Sequence, residues 1–64
     1  MEFRSVFVSN PAQVSVRRGQ LVIRQEEERS VPMEDLSALL LESRAVSITT
    51  AALQVLTDRG VTVY

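Results

Sequence analysis

The sequence predicts a small α+β domain of mostly antiparallel strands, with β-hairpins in a sandwich- or roll-like arrangement and one helix near residues 49–59. Three observations predict this class. Short segments rich in β-branched and aromatic residues alternate with turn-forming residues over most of the chain. A single segment combines helix-forming residues with an apolar stripe. With 64 residues, 45% of them hydrophobic and 23% charged, the composition is typical of one globular domain.

The first strand is predicted over residues 3–8, where valine and phenylalanine predominate. A turn is predicted over residues 9–12. Pro11 fixes its own φ and disfavours the α-helical region for Asn10, so the chain cannot continue regularly here. We interpret this segment as a turn or as the tip of a first hairpin.

A second hairpin is predicted directly after it. Val14 and Val16 alternate with polar residues, which is the period of a half-buried strand. Arg18 and Gly19 then form a turn in which glycine supplies a positive φ, and residues 21–23 form the return strand.

Short secondary-structure elements are predicted in the middle of the chain. Glu26–Glu28 place like charges together and indicate a solvated hairpin loop. Residues 30–32 indicate a short edge strand, because a proline removes one donor from the ladder. Residues 33–36 predict a single turn. The apolar run at 38–41 predicts a strand that is covered on both faces, or the approach to such a strand.

The helix is predicted between an N-cap at Thr49 or Thr50 and a C-terminal stop at Gly60. Leu53, Val55 and Leu56 supply its apolar stripe and are expected in the core. The last four residues begin another strand. We therefore expect residues 1–64 to be a single β-domain, truncated from a longer chain.

Composition narrows the classes of function. The net charge is −1, so the overall field attracts neither nucleic acid nor cations strongly. All seven basic residues are arginine, whose fork suits phosphate, but a GC-rich genome produces the same bias. The absence of cysteine and of any long apolar run fits a cytoplasmic protein. A core this small, with no disulfide, favours a second copy or another partner.

Four segments in order, followed by a glycine, carry a family resemblance: residues 8–12, 20–23, 31–36 and 48–56, and then Gly60. Together they resemble the N-terminal β-domain of the CRISPR-associated integrase (the first-numbered Cas protein) in its type II-like form. The resemblance implies a role in CRISPR adaptation, the spacer-acquisition step of prokaryotic antiviral defence.

Members of that family are metal-dependent DNA endonucleases and integrases, so the resemblance implies a divalent metal, Mg²⁺ or Mn²⁺, for the full-length protein. It implies homodimers that act with the second-numbered Cas protein on double-stranded DNA. The family's metal ligands, carboxylates and a histidine, lie in a helical C-terminal domain. This chain has no histidine, so we assign it no catalytic, cofactor-binding or metal-binding residue and expect it alone not to be an enzyme.

Five residues are candidates for DNA contact. Arg17, Arg18 and Arg24 lie on one predicted hairpin, where they form a phosphate track or, alternatively, face solvent and pair with the acidic run. Asn10 and Gln13, at the predicted first hairpin tip, meet the end of a DNA duplex or simply form the turn.

Two further features have plainer interpretations. Glu34 and Asp35 are adjacent, and neighbouring residues rarely converge on one Mg²⁺ ion, so they are expected to form a solvated turn. Tyr64 would have to be exposed to stack on a base, and its place beside valines predicts core or rim instead. The alternative to the CRISPR function is a small protein-interaction module that pairs through an exposed sheet edge.

Overall fold

A computed structural model describes residues 4–64, which form seven strands, one α-helix and one short 3₁₀ turn. The strands are β1 (Arg4–Val8), β2 (Ala12–Arg17), β3 (Gln20–Arg24), β4 (Glu28–Pro32), β5 (Leu36–Leu41), β6 (Val46–Ile48) and β7 (Thr62–Val63); the 3₁₀ turn is Met33–Asp35 and the helix α1 is Thr50–Asp58. The predicted α+β class is confirmed. The first predicted residue of β1, Phe3, lies outside the described part of the chain.

The strands form two sheets. The four-stranded sheet has the order β4-β3-β2-β6, and the three-stranded sheet has the order β1-β5-β7. The hairpins β2–β3 and β3–β4 are antiparallel, as their short loops require. The pairings β1–β5, β5–β7 and β2–β6 join strands that are distant in sequence, and these three are parallel.

The turn at Asn10 and Pro11 is not a hairpin tip. The strand before it, β1, pairs with β5, whereas the strand after it, β2, pairs with β3 and β6. The turn therefore carries the chain from one sheet to the other. A proline identifies a change of direction, but it does not identify the partner strand.

The β2–β3 turn has the backbone that its sequence predicts. Arg18 and Gly19 both have positive φ, 52° and 75°. A two-residue hairpin loop with positive φ at both positions matches the right-handed twist of its strands. The second hairpin, β3–β4, has its loop over residues 25–27 in the predicted acidic run, with Glu28 already in β4.

The core lies between the inner faces of the two sheets and is closed by α1. Its most fully buried side chains are Val8, Val14, Leu21, Ile23, Met33, Leu39 and Leu56. The register of β1 against β5 shifts between Arg4 and Ser5, so that Ser37 is inserted into β5. This bulge places both Leu36 and Leu39 on the buried face, three positions apart.

The helix begins where the N-cap pattern predicts. The Oγ1 atom of Thr49 accepts a hydrogen bond from the amide of Ala52 at 3.1 Å, so Thr49 and not Thr50 is the cap. Ala52 and Leu56 face the core, whereas Leu53 is 42% exposed. The expectation that Leu53 is buried was wrong, because the buried face follows the i, i+4 spacing of Ala52 and Leu56.

Two residues at the three-stranded sheet, Leu40 and Tyr64, are less buried than predicted. Tyr64 is 70% exposed, so the expectation of core or rim for this residue was wrong. Leu39 is fully buried, whereas the next residue of β5, Leu40, is half-buried. The predicted covering of this strand on both faces is thus met on one face only.

Arg29, an exposed residue of β4, links the two sheets at one side. It shares the inward-facing side of β4 with Val31, and its Nη2 atom donates to the carbonyl oxygen of Phe7 in β1 at 3.4 Å. An inward-pointing charge on an edge strand hinders the addition of a further strand. Within residues 4–64, no helix has the length and hydropathy needed to cross a membrane.

Candidate nucleic-acid interface

Most of the side chains on the outer face of the four-stranded sheet are polar. Register fixes this set, because residues paired across neighbouring strands point to the same side. Gln13 lies between Arg24 of β3 and Ser47 of β6, and Arg24 lies opposite Glu28 of β4. We call this surface the polar face; it comprises Gln13, Ser15, Arg17, Gln20, Val22, Arg24, Glu28, Ser30 and Ser47.

A shallow concavity of about 470 Å³ lies on the polar face. Its floor is Val22, which is only 5% exposed although it lies outside the buried core cluster. Ser15 and Ser30 flank Val22 in register, and Arg17 and Arg24 lie at its margins. The concavity therefore has an apolar floor and a rim of hydroxyl, amide and guanidinium donors, together with the carboxylate of Glu28.

The two arginines of the polar face differ in whether they form an ion pair. The Nη2 atom of Arg17 lies 3.4 Å from Oε2 of Glu28, and the two side chains are 65% and 47% exposed. An exposed pair of this kind contributes about 0–1 kcal/mol, so Arg17 exchanges its partner at little cost. Arg24 forms no ion pair with any residue of the described range. Within that range its guanidinium donates no side-chain hydrogen bond either, whereas Arg17 is bonded to Glu28.

The remaining predicted DNA-contact residues lie elsewhere. Arg18 is at the β2–β3 turn, near Glu34 and Arg59. Asn10 lines a separate concavity together with Glu26 and Glu27, and its carbonyl oxygen accepts from Nε2 of Gln25 at 3.3 Å. Two nearby carboxylates oppose a phosphate at Asn10. The fold thus brings together Arg17, Arg24 and Gln13 but neither Arg18 nor Asn10.

Sequence reasoning did not identify Ser47. This residue reaches the polar face because β6 pairs in parallel with β2, which places Ser47 beside Gln13. Nothing within a few residues of Ser47 specifies that pairing. The serine on its own carries no signal that distinguishes it from the other serines of the chain.

The residues present do not fit a catalytic metal centre. Across residues 4–64, no three His, Cys, Asp or Glu side chains are grouped so that they could hold a metal ion. Glu34 is exposed and Asp35 is half-buried in the 3₁₀ turn, as expected for a turn.

Comparison with known proteins identifies the class of protein and then the family. The described fold is similar to that of the protein in "Crystal structure of TtCas1-DNA complex", with a TM-score of 0.82 and 30% identity, over 97% of this chain and 23% of that one. The family model for "CRISPR associated protein Cas1" matches residues 6–64. The chain belongs to the CRISPR-associated Cas1 family.

A curated relative is the "CRISPR-associated endonuclease Cas1" of Neisseria meningitidis serogroup C (strain 8013). It is 36% identical over 63 residues, which are 97% of this chain and 21% of the relative. The chain therefore spans about a fifth of the length of that protein.

Proposed function

We propose that this chain serves CRISPR adaptation as the non-catalytic N-terminal part of a DNA integrase and endonuclease, where it assembles a homodimer and positions the DNA to be inserted. Family membership and the curated endonuclease relative support the role. In this proposal the divalent metal, Mg²⁺ or Mn²⁺, the chemistry and the second-numbered Cas protein belong to the whole protein. Its setting is the cytoplasm.

The polar face is the observation that supports DNA positioning. Arg24 and Arg17 present guanidinium groups, which bind phosphate oxygens in a bidentate manner. Gln13, Ser15 and Ser47 add neutral donors of the kind that fix a sugar-phosphate backbone. These contacts carry no base information, which suits a protein that accepts DNA fragments of varied sequence.

The positive charge that attracts DNA has to come from the polar face itself, because the chain as a whole has a net charge of −1. Two phosphate contacts give a salt slope of about −2, which corresponds to roughly a tenfold loss of affinity between about 50 and 200 mM salt. A homodimer with two polar faces on one duplex would double that slope. The expected binding is weak and strongly dependent on salt.

The test is the affinity of the chain for a short fluorescein-labelled DNA duplex, measured by anisotropy at several salt concentrations. We expect binding at low salt, loss of affinity with the slope given above, and recovery of the DNA uncut when Mg²⁺ or Mn²⁺ is added. Absence of binding at low salt would favour the protein-interaction module instead. Metal-dependent cleavage by the pure chain would contradict the non-catalytic role.

A further inference from the structure

We propose that Glu28 is a competitor for DNA that is built into the polar face. Its carboxylate holds Arg17 in the free protein and has to release it before a DNA phosphate can bind there. The proposal rests on the DNA-binding role of the polar face and adds the residue that limits how tightly this face binds. Glu28 thus regulates the site without itself contributing a favourable contact to the DNA.

Register places Glu28 among the groups that would bind phosphate. The side chains of the polar face form three rows across the sheet: Ser47, Gln13, Arg24 and Glu28; then Ser15, Val22 and Ser30; then Arg17 and Gln20. Glu28 is the direct neighbour of Arg24 in the first row. It is the only acidic residue of the polar face, and a solvent-facing carboxylate at this position opposes the binding of any anion.

The ion pair between Arg17 and Glu28 spans the concavity of the polar face. Arg17 lies on β2 and Glu28 on β4, with β3 between them. The two residues also belong to the first and third rows, so their side chains meet across the middle row. Val22, the floor of the concavity, is the centre of that row. The pair therefore occupies Arg17 at the place where a ligand of the concavity would meet it.

A carboxylate and a phosphate compete for the same guanidinium, because the arginine fork fits both groups. Glu28 is held beside Arg17 by the fold, so its effective concentration there is high and does not depend on dilution. The affinity for DNA falls in proportion to the fraction of molecules in which Arg17 is free. An exposed ion pair is weak, so this reduction amounts to about fivefold at most.

The weakness of the pair suits a competitor that has to be displaced. Both side chains are exposed, so a phosphate can approach Arg17 and Glu28 can turn away into solvent. A duplex already held at Arg24 presents further phosphates to Arg17 at high effective concentration. Such a ligand displaces the carboxylate, whereas a single anion at low concentration does not. The polar face therefore engages both arginines only with a ligand that makes several contacts.

The test compares Glu28→Gln with Glu34→Gln. Each removes one negative charge with little change of shape, but Glu34 lies in the 3₁₀ turn, beside Arg18 and Arg59. Anisotropy of a fluorescein-labelled DNA duplex gives the affinity of each variant over a salt series. At low salt we expect Glu28→Gln to bind about three- to tenfold more tightly than the wild type, and Glu34→Gln less than about twofold more tightly. The advantage of Glu28→Gln should shrink as salt is raised, because salt also screens the competing pair.

Repeating the comparison in an Arg17→Gln background tests whether Glu28 acts through Arg17. With no guanidinium to hold, Glu28→Gln should gain less than about twofold there. Equal gains in both backgrounds would overturn the competition, since Glu28 would then only repel DNA. A wild type that binds DNA, with Glu28→Gln no tighter than Glu34→Gln, would overturn the proposal and leave the role of the polar face standing. Failure of the wild type and Glu28→Gln alike to bind at low salt would overturn both.

Discussion

Replacing Leu39 with alanine is expected to unfold much of the protein. Leu39 is fully buried in β5, the central strand of the three-stranded sheet. Leucine-to-alanine changes at such positions lower the free energy of unfolding by about 2–5 kcal/mol. A chain of this size has a total stability of roughly 3–10 kcal/mol, so the loss is a large share of it.

Leu40→Ala is the matched control, since it removes the same atoms from the next residue. Leu40 is half-buried on the outer face of the three-stranded sheet and outside the core cluster. Its loss should be less than half that of Leu39→Ala. The measurement is urea unfolding followed by circular dichroism, at a protein concentration low enough to keep the chain monomeric. Equal losses for the two leucines would contradict the assignment of inner and outer faces.

Reversing the charge of Arg24 is expected to have the largest effect on DNA binding. Arg24 has no ion-pair partner among residues 4–64, so Arg24→Glu removes a guanidinium that is ready to bind phosphate and adds a repelling carboxylate. We expect the affinity for a DNA duplex to fall by about tenfold or more at low salt, and the salt slope to decrease by about 1. Arg24→Lys keeps the charge and should recover part of the affinity.

Two further variants separate a local effect from one of net charge. Arg59→Glu makes the same change in charge at the C-cap of α1, beside Arg18 and away from the polar face. It should reduce affinity much less than Arg24→Glu. Glu28→Gln removes the carboxylate that holds Arg17 and should strengthen binding. Equal losses for Arg24→Glu and Arg59→Glu would indicate only a general electrostatic attraction.

Features encoded within a few residues were predicted correctly from sequence. The β2–β3 turn follows from Gly19, the start of the helix from Thr49, and its end from Gly60, which has a φ of 72°. In each case the residue type satisfies a local backbone or hydrogen-bonding requirement. The acidic loop between β3 and β4 is of the same kind.

Pairings between distant strands could not be predicted in this way. The partner of β1 is β5, about thirty residues later in the chain, and what selects it is packing of Val6 and Val8 against Leu39 in a shared core. The sequence contains those apolar residues but not their proximity. The same reason explains why Asn10 was taken for a hairpin tip and why Ser47 was missed.

Only part of the candidate site could be predicted from the sequence, and strand geometry explains which part. Arg17 and Arg24 lie on the two strands of one hairpin, both on its outward side, so a prediction from the hairpin alone places them on one surface. Arg18 directly follows Arg17, at the start of the turn, where its positive φ turns it away from that surface. The three arginines were grouped because they are close in sequence. The strand geometry places Arg17 and Arg24 on one surface and Arg18 away from it.

In the proposed function, the polar face binds DNA. Its most direct test is a titration of the isotope-labelled chain with a short DNA duplex, followed by amide chemical shifts. The proposal predicts that the largest shifts fall on β2, β3 and β6 at Gln13, Ser15, Arg24 and Ser47, and that they disappear at high salt. Shifts centred on the outer face of the three-stranded sheet, or on the turn at Asn10, would contradict it.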